Sequence, residues 1–369
     1  MALPPFHLER YFARYEFTAR HLLSSSDCET WTVAELLALE PGGQGRLERL
    51  RLGYTESAGD PELRQAIAGI YQSVGPGDVL VHAGAEEAIF TFMHVALEPG
   101  HHLIVHAPAY QSLYAVAEAR GVEVSRWQGS EDDGWSLDPD ALAALVQKET
   151  KAVVVNCPHN PTGYLMDRER FDAVVEISRR HGLLLFSDEV YRELEHDPAA
   201  RLPAACDVYE RAVSLGVMSK TYGLAGLRLG WVATRDAGLL RKMAGFKDYL
   251  TICNPAPSEL LARIALAHRH ELAERNRRIV LDNLAAADRF FARHRDVFGW
   301  RRPSAGPVAF VRLLTAGAQA FCDRAVREAS VLLLPSTVFE AGDEHVRFGF
   351  GRKDFAEGLA ALGGWLGDS

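Results

Sequence analysis

Cysteine is scarce in this chain. The five that 369 residues contain stand apart at positions 28, 157, 206, 253 and 322, with no C-x-x-C pair and no metal-ligand spacing. An odd number of scattered cysteines argues against a disulfide framework and for reduced thiols, as in a cytoplasmic protein. Positive charge is also short: 40 Lys and Arg face 49 Asp and Glu, a formal net charge of −9. That balance argues against nucleic acid or an anionic membrane surface as the main partner, and leaves small ligands held by local basic sites. No apolar run approaches the ~20 residues that span a bilayer. The amino terminus, MALPPFHLERYFARYEF, has no basic segment ahead of an apolar one, so no secretory signal is expected. Among 14 histidines there is no HExxH or other compact ligand spacing, and His101-His102 falls in a turn. A G-x-S-x-G elbow, a Walker loop and a G-x-G-x-x-G after a first strand are missing too, as are internal repeats and low-complexity tracts.

What is present is enough apolar material for a large core, 48% of the chain. The length suggests two or three domains. From Asp60 onward short unbroken apolar runs alternate with helical patterns. Strands are expected at 79–81, 103–106, 122–126, 152–155, 183–186, 212–215 and 227–233, with helices at 86–96, 112–119, 139–147 and 168–181 between them. Continuous Val/Leu strands alternating with helices indicate an α/β fold with a mostly parallel sheet buried on both faces. Ligands on such sheets sit at the carboxyl ends of strands. A long helical stretch is expected over 257–293. Strands at 309–313, 331–334 and 345–348 with helices at 317–328 and 353–366 then suggest a smaller α+β lobe. At the other end, residues 1–35 carry a helix-like spacing of charges, Ser24–Asp27 signals a turn or cap, 32–39 reads as a short helix, and 42–53 as a loop-rich connection. The expected organisation is an amino-terminal segment, 1–40, packing with the small domain, a large domain, 41–256, and a small domain, 257–369.

Three stretches carry chemistry, each just after an expected strand. SLGVMSKTYGLAGLRLG (214–230) places Lys220 in a glycine-punctuated turn between apolar strands, the second expected to begin near Leu227 and to carry Arg228. Glycines 223, 226 and 230 permit positive φ and close approach to a bound group. A lysine held there is a candidate for a depressed pKa and Schiff-base chemistry. NCPHNPTG (156–163) presents Asn160 from a rigid turn, and SDEVYRE (187–193) puts Asp188 at a strand end with Tyr191 three residues on. Taken singly, these are a loop lysine, a Pro-Gly turn and a helix-capping Asp.

In this order and spacing the three motifs resemble the class I and II aminotransferases, which have the fold-type I architecture of enzymes dependent on pyridoxal 5'-phosphate (PLP). The resemblance implies a large domain with a mostly parallel seven-stranded sheet plus a smaller α+β domain, and it implies roles. Lys220 matches the lysine that forms the Schiff base with the cofactor. Asp188 matches the carboxylate that pairs with the pyridine nitrogen and keeps the ring an electron sink. Asn160 and Tyr191 match the donors to the ring's phenolic oxygen, and Tyr110, in HAPAYQSLY, the aromatic on the ring face. For the phosphate it implies backbone N–H groups of Gly84, Ala85 and Glu86 at a helix start, with Arg228 and Ser219. Tyr54 matches a tyrosine that reaches the neighbouring subunit's phosphate, which implies a homodimer. Arg347, in HVRFGFG, matches the clamp on the substrate α-carboxylate, a role suited to its planar fork.

Two positions depart from the family pattern. Glu86 stands where relatives often have a hydroxyl, so its carboxylate is expected to turn away from the phosphate. Val217 replaces a Ser or Thr three residues before the lysine and removes one phosphate bond. The implied activity is transfer of an amino group from an L-amino acid to a 2-oxo acid in two half-reactions. LSSSD, VNCPHNPTG, the 211–231 stretch and VRFGFG also look similar to PLP-dependent cyclases of the capreomycidine-synthase type, where Glu9 or Glu16 would meet a guanidinium. A non-catalytic PLP-binding module is a third reading. Arg10, Arg14 and Arg20 are candidates either to read an acidic side chain or to line a solvated helix face.

Overall fold

The apolar runs form the centre of the molecule because both faces of the sheet they make are covered. A computed structural model gives the arrangement of residues 3–315 and 317–367. Seven strands make the main sheet: β1 (Val79–His82), β2 (His102–Ala107), β3 (Glu123–Gln128), β4 (Thr150–Asn156), β5 (Leu184–Asp188), β6 (Ala212–Val217) and β7 (Gly230–Ala233). Their spatial order is β1-β7-β6-β5-β4-β2-β3; β7 runs antiparallel to both neighbours and the remaining pairs are parallel. Val153, Val155 and Leu185 point to one face and pack on Phe171, Val174 and Val175 of α3 (Arg168–Arg180). Val154, Leu184 and Phe186 point to the other, where Phe92 of α2 (Ala85–Ala96) lies 4.5 Å from Phe186. Each such fully buried side chain stabilises the fold by about 1.5–3 kcal/mol.

The register brings the chemistry to one edge. Asn156 pairs with Asp188 and Asp188 with Leu215, so β4, β5 and β6 end level. The connection between the antiparallel neighbours β6 and β7, paired at Val217 and Gly230, carries Lys220. Here the structure corrects an expectation. The second strand begins at Gly230 and not near Leu227; Ala225–Leu227 is a 3-10 turn, and Arg228 caps it in the left-handed region at φ 46°. Of the three glycines, Gly223 has positive φ (68°), whereas Gly230 is needed for space: a Cβ there would lie 2.8 Å from the Gly84 carbonyl carbon and 2.9 Å from the Ala85 nitrogen. Gly226 shows neither constraint.

A second, antiparallel sheet holds β8 (Phe298–Gly299), β9 (Val308–Leu313), β10 (Leu334–Pro335) and β11 (His345–Gly349) in the order β10-β11-β9-β8. Arg347 sits in β11 between Phe310 and Leu334. The run expected as one strand at 331–334 divides, because Val331–Leu332 instead pairs in parallel with His21–Leu22 of the amino-terminal segment. The helical stretch expected over 257–293 is made of two helices, Ala256–Ala267 and Arg269–Arg293, that meet at His268, and the loop-rich connection at 42–53 contains the short helix Gly43–Glu48. Ahead of His21 lies α1 (His7–Tyr15), and after Leu22 the chain crosses the end of β11 so closely that a Cβ at Gly349 would collide with the Ser25 carbonyl oxygen. Among the described residues no helix is long and apolar enough to cross a membrane.

Candidate active site

A cavity of about 400 Å³ opens where β4, β5 and β6 end, closed on its other sides by β11, α1 and the segment 25–27. Lys220 lines it, its Nζ donating to Ser26 Oγ at 2.8 Å. Burial lowers the pKa of this amine below the ordinary lysine value, with the Asp27 and Asp188 carboxylates opposing the shift and the Arg347 cation adding to it. Asp188, 5% exposed, faces the same space. Burial pushes its carboxyl up to about 7, against the Val190 amide, which donates to Oδ1 at 3.2 Å, and against Lys220. The strand ends are clamped by Asn156, whose Nδ2 donates to the Asp188 carbonyl at 3.0 Å and whose Oδ1 accepts from the Asn160 amide at 2.8 Å.

Arg347 is 1% exposed. Its Nη1 donates to Asn160 Oδ1 at 2.9 Å and its Nη2 to the Ser24 carbonyl at 2.7 Å, while Nε has no partner. No carboxylate among the described residues forms an ion pair with it, and burial lowers its pKa to about 10. A guanidinium stripped of water and left without an anion is costly unless a ligand supplies one.

At the cavity's far wall α2 begins. Gly84, at φ 86°, turns the chain so that the amides of Ala85 and Glu86 open the helix, and Arg228 reaches in beside them, its Nη2 3.0 Å from where a Gly84 Cβ would stand. Ser219 lines the same wall. A helix start with an arginine and a hydroxyl is an anion cradle. Val217 adds an apolar patch to it. Glu86, whose carboxylate was expected to turn away from the phosphate, lines the cavity. Its carboxyl accepts from Ser112 Oγ at 3.2 Å, and burial raises its pKa to about 7, so partial protonation relieves the charge.

The residues fit a pyridoxal phosphate. The orphaned face of Asp188 suits a ring nitrogen, Lys220 an aldehyde, the α2 start with Arg228 a phosphate, and Tyr110 lines the wall where a ring face would lie. Of the two matched donors, one is otherwise engaged and one is free. The Tyr191 hydroxyl donates to the Ser26 carbonyl at 3.0 Å, and Asn160 spends its oxygen on Arg347, leaving Nδ2 as a donor. Tyr54 is not part of this cavity; it is 92% exposed, on a surface with Leu52, 82% exposed.

Several residues of the site went unseen as such. Ser26 and Asp27 gave only a turn signal, yet Ser26 bonds both Lys220 and Tyr191, and Asp27 accepts from Arg352 at 2.8 Å. His159, inside the NCPHNPTG motif, ties the Asn160 turn to the Tyr110 loop: its Nδ1 meets Thr162 Oγ1 at 2.7 Å and its Nε2 the Pro108 carbonyl at 2.8 Å.

The model of the family described as aminotransferase class I and II matches residues 23–359. The chain belongs to this family. Among aminotransferase relatives, the capreomycidine synthase of Streptomyces vinaceus is 32% identical over 380 residues, spanning 99% of this chain and 95% of its own. A solved PLP-dependent aminotransferase from Streptococcus suis superposes with a TM-score of 0.93 at 33% identity, covering 99% of this chain and 98% of that one. The solved PLP-dependent cyclase OrfR superposes with a TM-score of 0.90 at 31% identity, with the same coverage of 99% and 98%. This chain therefore has the fold-type I architecture, an α/β large sheet with a second, smaller one.

Proposed function

We propose that this chain is a PLP-dependent aminotransferase that moves an amino group from an L-amino acid to a 2-oxo acid by a ping-pong mechanism. The observation that carries the reading is a lysine amine and an acidic side chain facing one cavity with a fully buried arginine that lacks an anion. Lys220 would hold the cofactor's aldehyde, Asp188 its ring nitrogen, and Arg228 with the start of α2 its phosphate. When bound, the cofactor supplies an electron sink for the bond broken at the substrate's Cα. The chain's own groups do the rest. Arg347 binds the α-carboxylate with a planar fork whose tilt is fixed by Asn160 and the Ser24 carbonyl. Lys220, its pKa lowered by burial, is the base that takes the Cα proton and returns it. Asp188 keeps a negative charge opposite the ring nitrogen once that nitrogen provides the cation its burial otherwise lacks.

Residues 41–256 serve in this reading as the cofactor-binding domain and 257–369 as the smaller one. Residues 1–40 pack on the smaller domain, a division supported by the ladder between His21–Leu22 and Val331–Leu332. A homodimer follows as well, with the exposed Tyr54 reaching the partner's phosphate cradle. A visible-absorption scan tests the assignment: bound cofactor whose band shifts on adding an amino donor and returns on adding a 2-oxo acid supports it. A Lys220→Ala protein that still transaminates would refute it.

A second reading keeps the cofactor and the residues but changes the outcome: loss of a β-substituent followed by ring closure. The similarity to a capreomycidine synthase and to the cyclase OrfR, at 32% and 31% identity, favours considering it. Product analysis separates the two, since transamination yields a 2-oxo acid and cyclisation retains the α-nitrogen in the product.

A further inference from the structure

The segment that crosses the end of β11 is fastened on both sides. The Gly349 amide donates to the Leu23 carbonyl and the Glu29 amide to the Gly351 carbonyl, each at 2.7 Å. Arg352 donates to Asp27 at 2.8 Å, and neither Gly349 nor Gly351 has room for a Cβ against the carbonyls of Ser25 and Asp27. From there residues 24–26 reach three functional side chains. Ser24 and Ser26 offer carbonyls to Arg347 and Tyr191, at 2.7 Å and 3.0 Å, contacts that any residue type could make. The Ser26 hydroxyl makes the contact that depends on side-chain identity: its Oγ accepts from Lys220 Nζ at 2.8 Å.

Among the described residues Ser26 is the only hydrogen-bond partner of that nitrogen. Asp27 and Asp188 act on its charge through space, but neither is bonded to it. The Ser26 hydroxyl donates its own proton to no described residue, so nothing there draws the oxygen away from the amine. A lysine amine sits at the end of a flexible stem, and a base must lie within hydrogen-bond reach of the proton it takes. Donating a hydrogen to Ser26 fixes the rotation of a neutral amine about its last bond and leaves the lone pair for the substrate.

We propose that Ser26 is a catalytic residue: its hydroxyl holds the Lys220 amine where it takes and returns the substrate's Cα proton. This rests on Lys220 being the base, as in the function proposed above. In the step the Cα–H bond breaks, its electron pair stays on the carbon side, and the proton adds to Nζ. The nitrogen becomes an ammonium, and its bond to Ser26 becomes charge-assisted and stronger. The hydroxyl therefore stabilises the transfer more than it stabilises the starting amine, which is the condition for lowering a barrier. Return of the proton reverses these changes.

Ser26→Ala tests the assignment, because it removes the hydroxyl and leaves both the carbonyl that takes Tyr191 and the bonds that fasten the segment to β11. One readout needs neither turnover nor cofactor. In the cofactor-free protein, reductive methylation of Lys220 by formaldehyde as a function of pH, read by peptide mass spectrometry with the exposed Lys148 as reference, reports how the amine titrates. Asp27, Asp188, Arg347 and Cys28 act on it in both proteins, so loss of an acceptor for the ammonium should move the Lys220 midpoint to lower pH in the variant. The other readout is exchange of the donor's Cα proton into D2O, followed by NMR on the holoenzyme with L-alanine, L-aspartate or L-arginine, whichever the wild type exchanges fastest. At saturating donor the exchange should slow roughly tenfold to a hundredfold, the effect of one charge-assisted hydrogen bond. The donor concentration for half saturation should stay within about threefold, because Arg347 keeps its own partners. An unchanged Lys220 midpoint, an exchange rate within about twofold of the wild type, or a loss confined to half saturation would each overturn the assignment. If both proteins exchange equally, Ser26 alone loses its role. If the cofactor-loaded wild type exchanges no Cα proton from any of the three amino acids, the functional reading falls and the role of Ser26 with it.

Discussion

Asp188 is held at the strand end for function at a cost to the empty fold, and Asp188→Asn should expose that cost. An unfolded aspartate titrates near 3.8, whereas burial raises the folded carboxyl to about 7. Between those values the folded state keeps a proton that the unfolded state has lost, so stability falls as pH rises and the loss is complete above about pH 7. About three pKa units correspond to about 4 kcal/mol. Asparagine cannot ionise and keeps the acceptor for the Val190 amide, but it leaves an amide group facing the cavity, at about 1–2 kcal/mol. The cofactor-free variant should then be more stable than the cofactor-free wild type by about 2–3 kcal/mol at pH 8. Over 369 residues that is a rise of about 3–4 °C in Tm, giving way near pH 4 to a small deficit, because the amide's cost stays when the carboxyl's has gone. Adding PLP should reverse the ranking, because the wild-type carboxylate gains a partner and the variant does not. Differential scanning calorimetry with and without cofactor, at pH 4, 6 and 8, makes the measurement. A variant that is less stable at pH 8 without cofactor, or a difference that does not change with pH, would refute the reasoning.

Other changes should act on single functions. Arg347→Met removes the fork for the α-carboxylate and should raise KM for the amino donor by roughly a hundredfold or more, as expected for charged hydrogen bonds worth about 1.5–3 kcal/mol each; cofactor absorbance should stay, and steady-state kinetics with a spectrum check both. Gly230→Ala places a Cβ 2.8 Å from the Gly84 carbonyl carbon and must push the phosphate cradle aside. Its cofactor dissociation constant should rise at least tenfold by fluorescence titration, while the far-ultraviolet circular dichroism stays that of the wild type. Glu86→Gln removes a carboxyl that titrates near 7 beside the cradle. Cofactor affinity of the wild type should fall as pH rises through 7, as the carboxylate forms and repels the phosphate, and in the variant that fall should be smaller.

The strands of the main sheet were legible because burial on both faces demands unbroken apolar runs, and Val153 to Val155 or Leu184 to Phe186 satisfy that demand locally. The start of β7 was not. Leu227 and Leu229 look like strand residues, but Arg228 takes positive φ, a conformation that nothing in the side-chain pattern announces. Asp188, Asn160 and Lys220 were legible from their positions just after strands. Ser24–Asp27 was not, because its role arises where the chain crosses β11 at Gly349, a contact between residues more than three hundred positions apart. On α1 the arginines and the glutamates are both spaced as helix faces, and only the packing of Phe6, Gln111 and Tyr110 sets how the helix lies against the cavity. Burial raises the Glu86 carboxyl to about 7, a second way, besides orientation, for it to avoid charge beside an anion site, and one that no sequence pattern shows.

The central claim is that the amine of Lys220 is the group that holds the cofactor. Borohydride reduction of the PLP-loaded protein, followed by proteolysis and peptide mass spectrometry, locates that bond directly. The account predicts a pyridoxyl-phosphate adduct on the peptide that contains Lys220, in one-to-one amount with the chain. An adduct confined to another lysine, or none on a protein that has bound the cofactor, would contradict it.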